Sequence, residues 1–311
     1  MPLPDHVAIS NVTLRAVAAR HGLRADAITR LSDVGIINTI YLLGEDYILR
    51  VPRDHPAHIR QLRNELAAIP AARAAGVRTP QLVASDESCD LLPVPYAIVE
   101  RVHGATLGLL DWQPEDAAHA WYELGRDLAL LHANVARTGP VGALRDESPL
   151  PDPRAEAEAR ARDGYITGLE ARWLTAWLDR LAPAALAHVP ARFLHLDVQA
   201  TNIIVDPATL AYRALLDWGC AGWGDPAWDC FGLPLRAIPH VLAGHRSVAP
   251  LDADDTAEAR ILWRHLQFSL HVLPRGATPG LSWGEHPLAW LLETMRFFLD
   301  HPHAPWRDLA P

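Results

Sequence analysis

The chain has 311 residues, half of them apolar and 21% charged, with a formal net charge of −9. Such a chain can bury a core of its own; it has no apolar run of about eighteen residues to span a membrane and no basic footprint for nucleic acid. All 28 of its Lys+Arg positions are arginine, which excludes a Schiff-base lysine and a phosphate loop ending in Gly-Lys.

The N-terminal "MPLPDHVAIS" has neither a basic start nor a long apolar stretch, so no secretory leader is expected. "NVTLRAVAARHGL" predicts a short helix ending at Gly22. "ITRLSD", "INTIYLL" and "YILRV", separated by "VGI" and "GED", predict three strands joined by turns. In "HIRQLRNELAAIPAARAAG", Ile59, Leu62, Leu66 and Ile69 recur at helical spacing, and Pro70 is expected to weaken the second half. "QLVAS" and "PYAIVERV" predict two more strands.

Beyond the segment Val102–Gly104 the pattern turns helical. "DAAHAWYELGRDLALLHANV" places Trp121, Leu124, Leu128 and Leu131 on one face, and "ARWLTAWLDRL" does the same with Trp173, Leu174, Trp177 and Leu178. Further helices are expected near 256–273 and 286–300, and a long loop at 138–155. Only "ARFLHLD", "NIIVD" and "YRALLDW" read as strands in this part. A β-rich first part and a helical second part predict an α+β fold. Cys89, Cys220 and Cys230 lack metal-like spacing and read as reduced thiols of a cytoplasmic protein.

The polar residues around those last strands carry the chemistry. Asp197 ends one apolar strand, Asn202 opens the next, and Asp217 ends the one after. Neighbouring strands of a small hairpin would bring such ends together. Asn202 and Asp217 would then offer two oxygen donors to one hard cation such as Mg²⁺. Asp197 would stay free to accept a proton or orient a hydroxyl.

The order "HLDVQATNIIVD" then "LLDWGCAGWGDPAWD" resembles the aminoglycoside phosphotransferase family, small-molecule members of the protein-kinase-like superfamily. "YILRV", "RNELAAI" and "PYAIVERVHGATL" fall in the same order upstream, so the resemblance covers most of the chain. It implies a two-lobed fold, with residues 1–102 as the nucleotide-binding lobe and 103–311 as the catalytic and substrate-binding lobe. It also implies roles: Asp197 as the catalytic aspartate facing the substrate hydroxyl, Asn202 and Asp217 as Mg²⁺ ligands, and Arg50 on the α/β-phosphates with Glu65 orienting it. The backbone from Glu100 to Val102 would meet the base of ATP or GTP. His195 would brace the loop and Asp229 would support it from behind. The sequence departs from the family pattern in three places. Arg50 stands where many kinases have lysine, Leu196 replaces the glycine after the histidine, and the turn at 32–39 holds only Gly35.

Residues 1–103 hold 11 Arg and 11 Asp+Glu, and 104–311 hold 17 and 26, so the net −9 lies in the second part. An acidic substrate-binding part favours a cationic acceptor, such as an aminoglycoside-like antibiotic. A metabolite kinase for an amino alcohol, sugar or amino acid is the alternative within the class. A non-catalytic nucleotide-binding pseudokinase and a zinc hydrolase built on His195 and Asp197 are the alternatives outside it. The expected partners are a nucleoside triphosphate and a small hydroxyl compound, not nucleic acid or a membrane.

Overall fold

The alternation of buried and half-buried residues in the first hundred positions folds as a sheet with one helix on each face. The computed structural model describes residues 6–24, 27–31, 37–113, 115–148, 150–276, 286–300 and 302–311; Gly35 and most of its turn lie outside them. By their contacts the residues form two compact units. The first is Met1–His103 with Arg137–Leu144 and Ala214–Ala221; the second is Gly104–Ala136 with Arg145–Arg213 and Gly222–Pro311.

In the first unit, helix α1 (Asn11–Arg20) starts at Ser10, whose hydroxyl accepts the Thr13 N–H. Strands β1 (Ile28–Leu31), β2 (Asn38–Leu43) and β3 (Tyr47–Pro52) follow, then helix α2 (Pro56–Ala74) and strands β4 (Leu82–Asp86) and β5 (Tyr96–Glu100). The five strands form one antiparallel sheet in the order β1-β2-β3-β5-β4. Leu49 and Val51 of β3 join Leu14, Val17, Tyr41 and Ile98 in the core; each such side chain contributes roughly 1.5–3 kcal/mol by burial. Successive strand residues face opposite sides. Arg50, between Leu49 and Val51, therefore points away from that core, and α2 packs on β3 and β5. Pro70 does not end α2. The helix runs on to Ala74, with Pro70 exposed and Ala68, Ile69 and Ala72 buried around it.

The second unit begins with β6 (Ala105–Thr106) and helix α3 (Ala118–Asn134). A short helix, α4 (Gly139–Gly142), belongs to the first unit. The stretch expected as one long loop at 138–155 thus holds α4, and beyond it Asp146 bridges to Trp223. Helices α5 (Pro153–Arg162) and α6 (Gly168–Ala185) come next, α6 opening on a capping box of Thr167 and Glu170. Strands β7 (Arg192–Leu194), β8 (Ile203–Val205), β9 (Tyr212–Leu215) and β10 (Gly222–Gly224) precede helices α7 (Ile238–Val248), α8 (Ala257–Val272) and α9 (Pro287–Leu299). Helix α8 is the centre of this unit, packed by α5, α6 and α9. Of its buried polar groups, Arg260 engages Asp225, His265 engages Cys230 O at 3.0 Å, and Gln267 engages Leu150 O and Pro151 O, whereas Arg264 Nε has no hydrogen-bond partner among the described residues.

Helices α3 and α7 approach closely because glycine faces backbone on each side. A Cβ on Gly125 would collide with Val241 O, and one on Gly244 with Tyr122 O. Among the described residues no helix is long and apolar enough to cross a membrane.

The expected hairpin forms in part: β8 and β9 are neighbours in a sheet of order β6-β8-β9, but β7 does not join them. β7 pairs with β10, Leu194 opposite Gly222, whereas β8 pairs with β6. The ends of β7 and β8 are therefore brought together by the loop between them, not by a shared ladder.

Candidate active site

Two clusters gather the residues that the sequence singled out, one in each unit. The first is built on β3. Arg50 sits opposite Ile40 and Ala97 in the middle of the sheet. Its Nη2 donates to Glu65 Oε1 at 2.7 Å and to Asp217 Oδ1 at 3.3 Å. Glu65 lies on the buried stripe of α2, one turn from Leu62 and Ala68, and is 2% exposed. Burial, opposed by the Arg50 charge and aided by the Asp217 carboxylate, pushes the Glu65 carboxyl up to about 8. Burial works against the Arg50 guanidinium, but the two carboxylates hold it above its ordinary value. Arg50 Nε and Glu65 Oε2 are buried without a hydrogen-bond partner among the described residues.

Asp217 reaches this place through the "DWG" turn. Its own backbone is left-handed, with φ 68°, which an aspartate tolerates better than most residues. Trp218 is fully buried and its indole N–H donates to Thr79 Oγ1 at 2.8 Å. Leu215 N donates to Arg78 O, and Asn64 Nδ2 of α2 donates to Gly219 O, each at 2.9 Å. The turn is thus tied to α2 and to the segment after it, which leaves the Asp217 side chain half-buried beside Arg50.

Glu100 and Val102 lie at the end of β5 in the same unit. The N–H groups of Glu100 and Arg101 bond to Gln81 O and Asp46 O, at 2.9 and 2.7 Å. Those two donors are therefore not on offer to a base, and Val102 carries the remaining N–H of that stretch. The Glu100 side chain accepts from Gln81 N at 3.3 Å.

The second cluster follows β7. His195 is fully buried, and its Nδ1 accepts the Asp197 N–H at 3.2 Å. That use of the ring braces the loop and removes the Nδ1 lone pair from any metal. Leu196 takes the left-handed backbone that glycine would adopt freely, with φ 62°. Asp229, also fully buried, holds this stretch: Oδ2 accepts from His195 N at 3.1 Å and Oδ1 from Leu196 N at 2.7 Å. Behind Asp229 stands His132 of α3, at 2.9 Å, and behind that His245 of α7, at 3.1 Å.

Both carboxylate oxygens of Asp197 receive amide donors. Gln199 Nε2 reaches Oδ1 at 2.6 Å, and Asn202 Nδ2 reaches Oδ2 at 3.1 Å and the Asp197 carbonyl at 2.8 Å. With its nitrogen on Asp197, Asn202 turns Oδ1 away from it. Asn202 Oδ1 and the half-buried Asp217 carboxylate are oxygen donors of the kind a hard divalent cation takes. Asn202 lies in the second unit and Asp217 in the first. Among the described residues no group of three His, Cys, Asp or Glu side chains could hold a metal.

Asp225, by contrast, is structural. It caps the turn at Pro226–Cys230 by accepting from Ala227 N at 2.9 Å and pairs with Arg260. Sequence reasoning missed Gln199, whose only signal was a polar side chain two places after Asp197. The His132 ring bonds to residues of two other elements.

Among solved structures, the GDP complex of wild-type aminoglycoside 2'-phosphotransferase-IIIa matches with a TM-score of 0.66 at 16% identity, covering 93% of this chain and 100% of that one. The apoenzyme of macrolide 2'-phosphotransferase MphH from Brachybacterium faecium matches at 0.58 and 22% identity, covering 93% and 98%. A choline/ethanolamine kinase family protein from Mesorhizobium loti matches at 0.58 and 17%, covering 96% and 98%. At these identities the likeness is one of fold: an antiparallel N-terminal sheet followed by a helical region, as in protein-kinase-like enzymes. The family model described as phosphotransferase enzyme family, APH, matches residues 28–239, a span that includes Arg50, Glu65, Asp197, Asn202 and Asp217. This chain therefore belongs to the APH phosphotransferase family and is a small-molecule phosphotransferase.

Proposed function

We propose that the enzyme moves the γ-phosphoryl of ATP or GTP, with Mg²⁺, to a hydroxyl of a small cationic molecule, an aminoglycoside-like antibiotic being the first choice. The observation that carries this reading is the anchoring of Asp197, with both oxygens held by Gln199 and Asn202 and the preceding backbone held by Asp229. A carboxylate so fixed and half-buried suits a group that receives a hydroxyl proton.

Asp197 orients the acceptor hydroxyl and takes its proton as the oxygen bonds to phosphorus. The bond from phosphorus to the diphosphate oxygen breaks, and the diphosphate leaves with the electron pair. Arg50, steered by Glu65, offers its charge to the phosphates. Asn202 and Asp217 are the proposed Mg²⁺ ligands, and the bound ion would supply positive charge to the phosphate oxygens. Val102 is the proposed donor to the base. The net −9 of residues 104–311 favours an acceptor bearing amines. The proposed location is the cytoplasm, where nucleoside triphosphates are at hand.

The test is Mg²⁺-dependent consumption of ATP and of GTP over a panel of aminoglycosides, macrolides, amino alcohols and sugars, comparing wild type with Asp197→Ala. Turnover on an amine-bearing alcohol, lost in the variant, supports the proposal. Turnover on an uncharged sugar alone would favour a metabolite kinase. Nucleotide binding without turnover on any hydroxyl would favour a non-catalytic nucleotide-binding protein.

A further inference from the structure

Behind the loop that carries Asp197, three contacts in a row need three protons. His245 Nδ1 lies 2.8 Å from Ala249 O, and a carbonyl only accepts, so that nitrogen is protonated. His245 Nε2 and His132 Nδ1 lie 3.1 Å apart and need one proton between them. His132 Nε2 and Asp229 Oδ2, 2.9 Å apart, need another. Two neutral imidazoles and a carboxylate hold only two. Asp229, His245 and His132 are 0, 5 and 6% exposed, so solvent does not fill the gap.

We propose that Asp229, His132 and His245 share one additional proton, held on His132, and that His132 and His245 are thereby positioning residues for the catalytic loop. The Asp229 carboxylate accepts the backbone N–H of His195 on Oδ2 and that of Leu196 on Oδ1, so both its oxygens already act as acceptors. His132 is the imidazole beside that carboxylate. His245 is one step farther, and burial together with the His132 charge pushes it down to about 3. The other charged groups near the pair include two arginines and three carboxylates, one negative charge in excess. Asp252 pairs with Arg192 at 2.6 Å, and Arg246 pairs with Asp254 at 3.0 Å and Glu258 at 2.8 Å. The shared proton is what balances Asp229.

The consequence reaches Asp197 through Leu196. A leucine at φ 62° is held against a steric penalty, and the 2.7 Å bond from its N–H to Asp229 Oδ1 opposes that penalty. Without the shared proton, His132 could serve only one of its two partners, so either Asp229 Oδ2 or His245 Nε2 would face a bare nitrogen lone pair in a dry interior, and the hold of the chain on the loop would loosen. The histidine pair thus secures a backbone conformation that leucine adopts unwillingly. This role rests on the proposed phosphoryl transfer; the proton count does not.

The experiment is ¹⁵N NMR of the histidine rings in the full-length protein at neutral pH, assigned with His132→Gln and His245→Gln. The expected spectrum shows both His132 ring nitrogens protonated and His245 protonated at Nδ1. Two rings with one protonated nitrogen each would overturn the proposal, whatever the activity. The second readout is kinetic. His245→Leu removes the acceptor for His132 Nδ1–H and is expected to lower kcat about tenfold with little change in nucleotide KM. His245→Gln, which keeps an acceptor, is expected to restore most of it, and so is Leu196→Gly in the His245→Leu background. Equal losses in the Leu and Gln variants, following their thermal stability, would make the pair structural only. If no acceptor is ever phosphorylated, the kinase reading fails while the NMR result still decides the proton.

Discussion

Arg50 Nη2 stands 3.3 Å from Asp217 Oδ1, although 167 positions separate the two in the chain. The same nitrogen is 2.7 Å from Glu65 Oε1, so one cation serves two carboxylates. Removing it leaves Glu65 buried and unpaired. Breaking a buried pair costs about 3–5 kcal/mol. Arg50→Ala is therefore expected to lower the urea midpoint strongly, and Glu65→Gln in that background to recover part of the loss. Equal midpoints for Arg50→Ala and wild type would contradict the pairing.

Asp197 is expected to matter for turnover and little for nucleotide affinity, because its partners Gln199 and Asn202 lie within its own loop. Asp197→Ala should reduce kcat by about two to four decades, the span of general-base effects. Nucleotide Kd, read by calorimetry, should change by less than about threefold, well below the tenfold that 1.4 kcal/mol represents. A large loss of nucleotide binding would instead assign Asp197 to the phosphate or metal site.

The α3–α7 contact is expected to be intolerant of a single methyl group. Gly244→Ala places a carbon against Tyr122 O, and backbone cannot swing aside as a side chain can. Overpacking of this kind costs about 1–3 kcal/mol or more. Gly276→Ala, where no atom of the described residues lies within 4 Å of the added carbon, is the control. Calorimetric Tm values for the two variants check this, and similar values would show that the helices can separate without cost.

Stability is expected to fall on acidification through a buried imidazole. Burial, only partly offset by the bond to Cys230 O, pushes His265 down to about 4 from 6.5. The folded state resists the proton that the unfolded chain accepts. Its contribution is therefore complete above about 6.5 and is lost as pH falls toward about 4, at up to about 1.4 kcal/mol per pH unit for one proton. Urea midpoints between those values should fall less steeply in His265→Gln than in wild type. Parallel slopes would mean that His265 is not the group responsible.

Much of this arrangement was readable in the sequence because it is local. The periodicity of Leu62 and Ile69 announced α2, the alternation around Arg50 announced β3, and both formed where expected. The order of Asp197, Asn202 and Asp217 identified the family, since a loop of fixed spacing and a "DWG" turn carry their chemistry within a few residues. Glu65 was legible for the same reason: its place between Leu62 and Ile69 turned it inward. The errors came where one local signal stood in for tertiary contact. Pro70, expected to weaken the second half of α2, stands on the exposed side of a helix that runs on to Ala74. Of the strands expected in one hairpin, β8 and β9 are neighbours, but β7 found its partner in β10.

The sequence by itself determined the element types, the family pattern and the residue kinds at its polar positions, because backbone propensity and side-chain chemistry act over a few residues. Only the tertiary structure decided that Leu196 is held left-handed by Asp229, and that Asp229 is backed by His132 and His245. It also decided that the N–H of Glu100 is already bonded. Those outcomes depend on which groups from distant segments meet in a dry interior, where each donor must find an acceptor, and no spacing along the chain encodes that pairing.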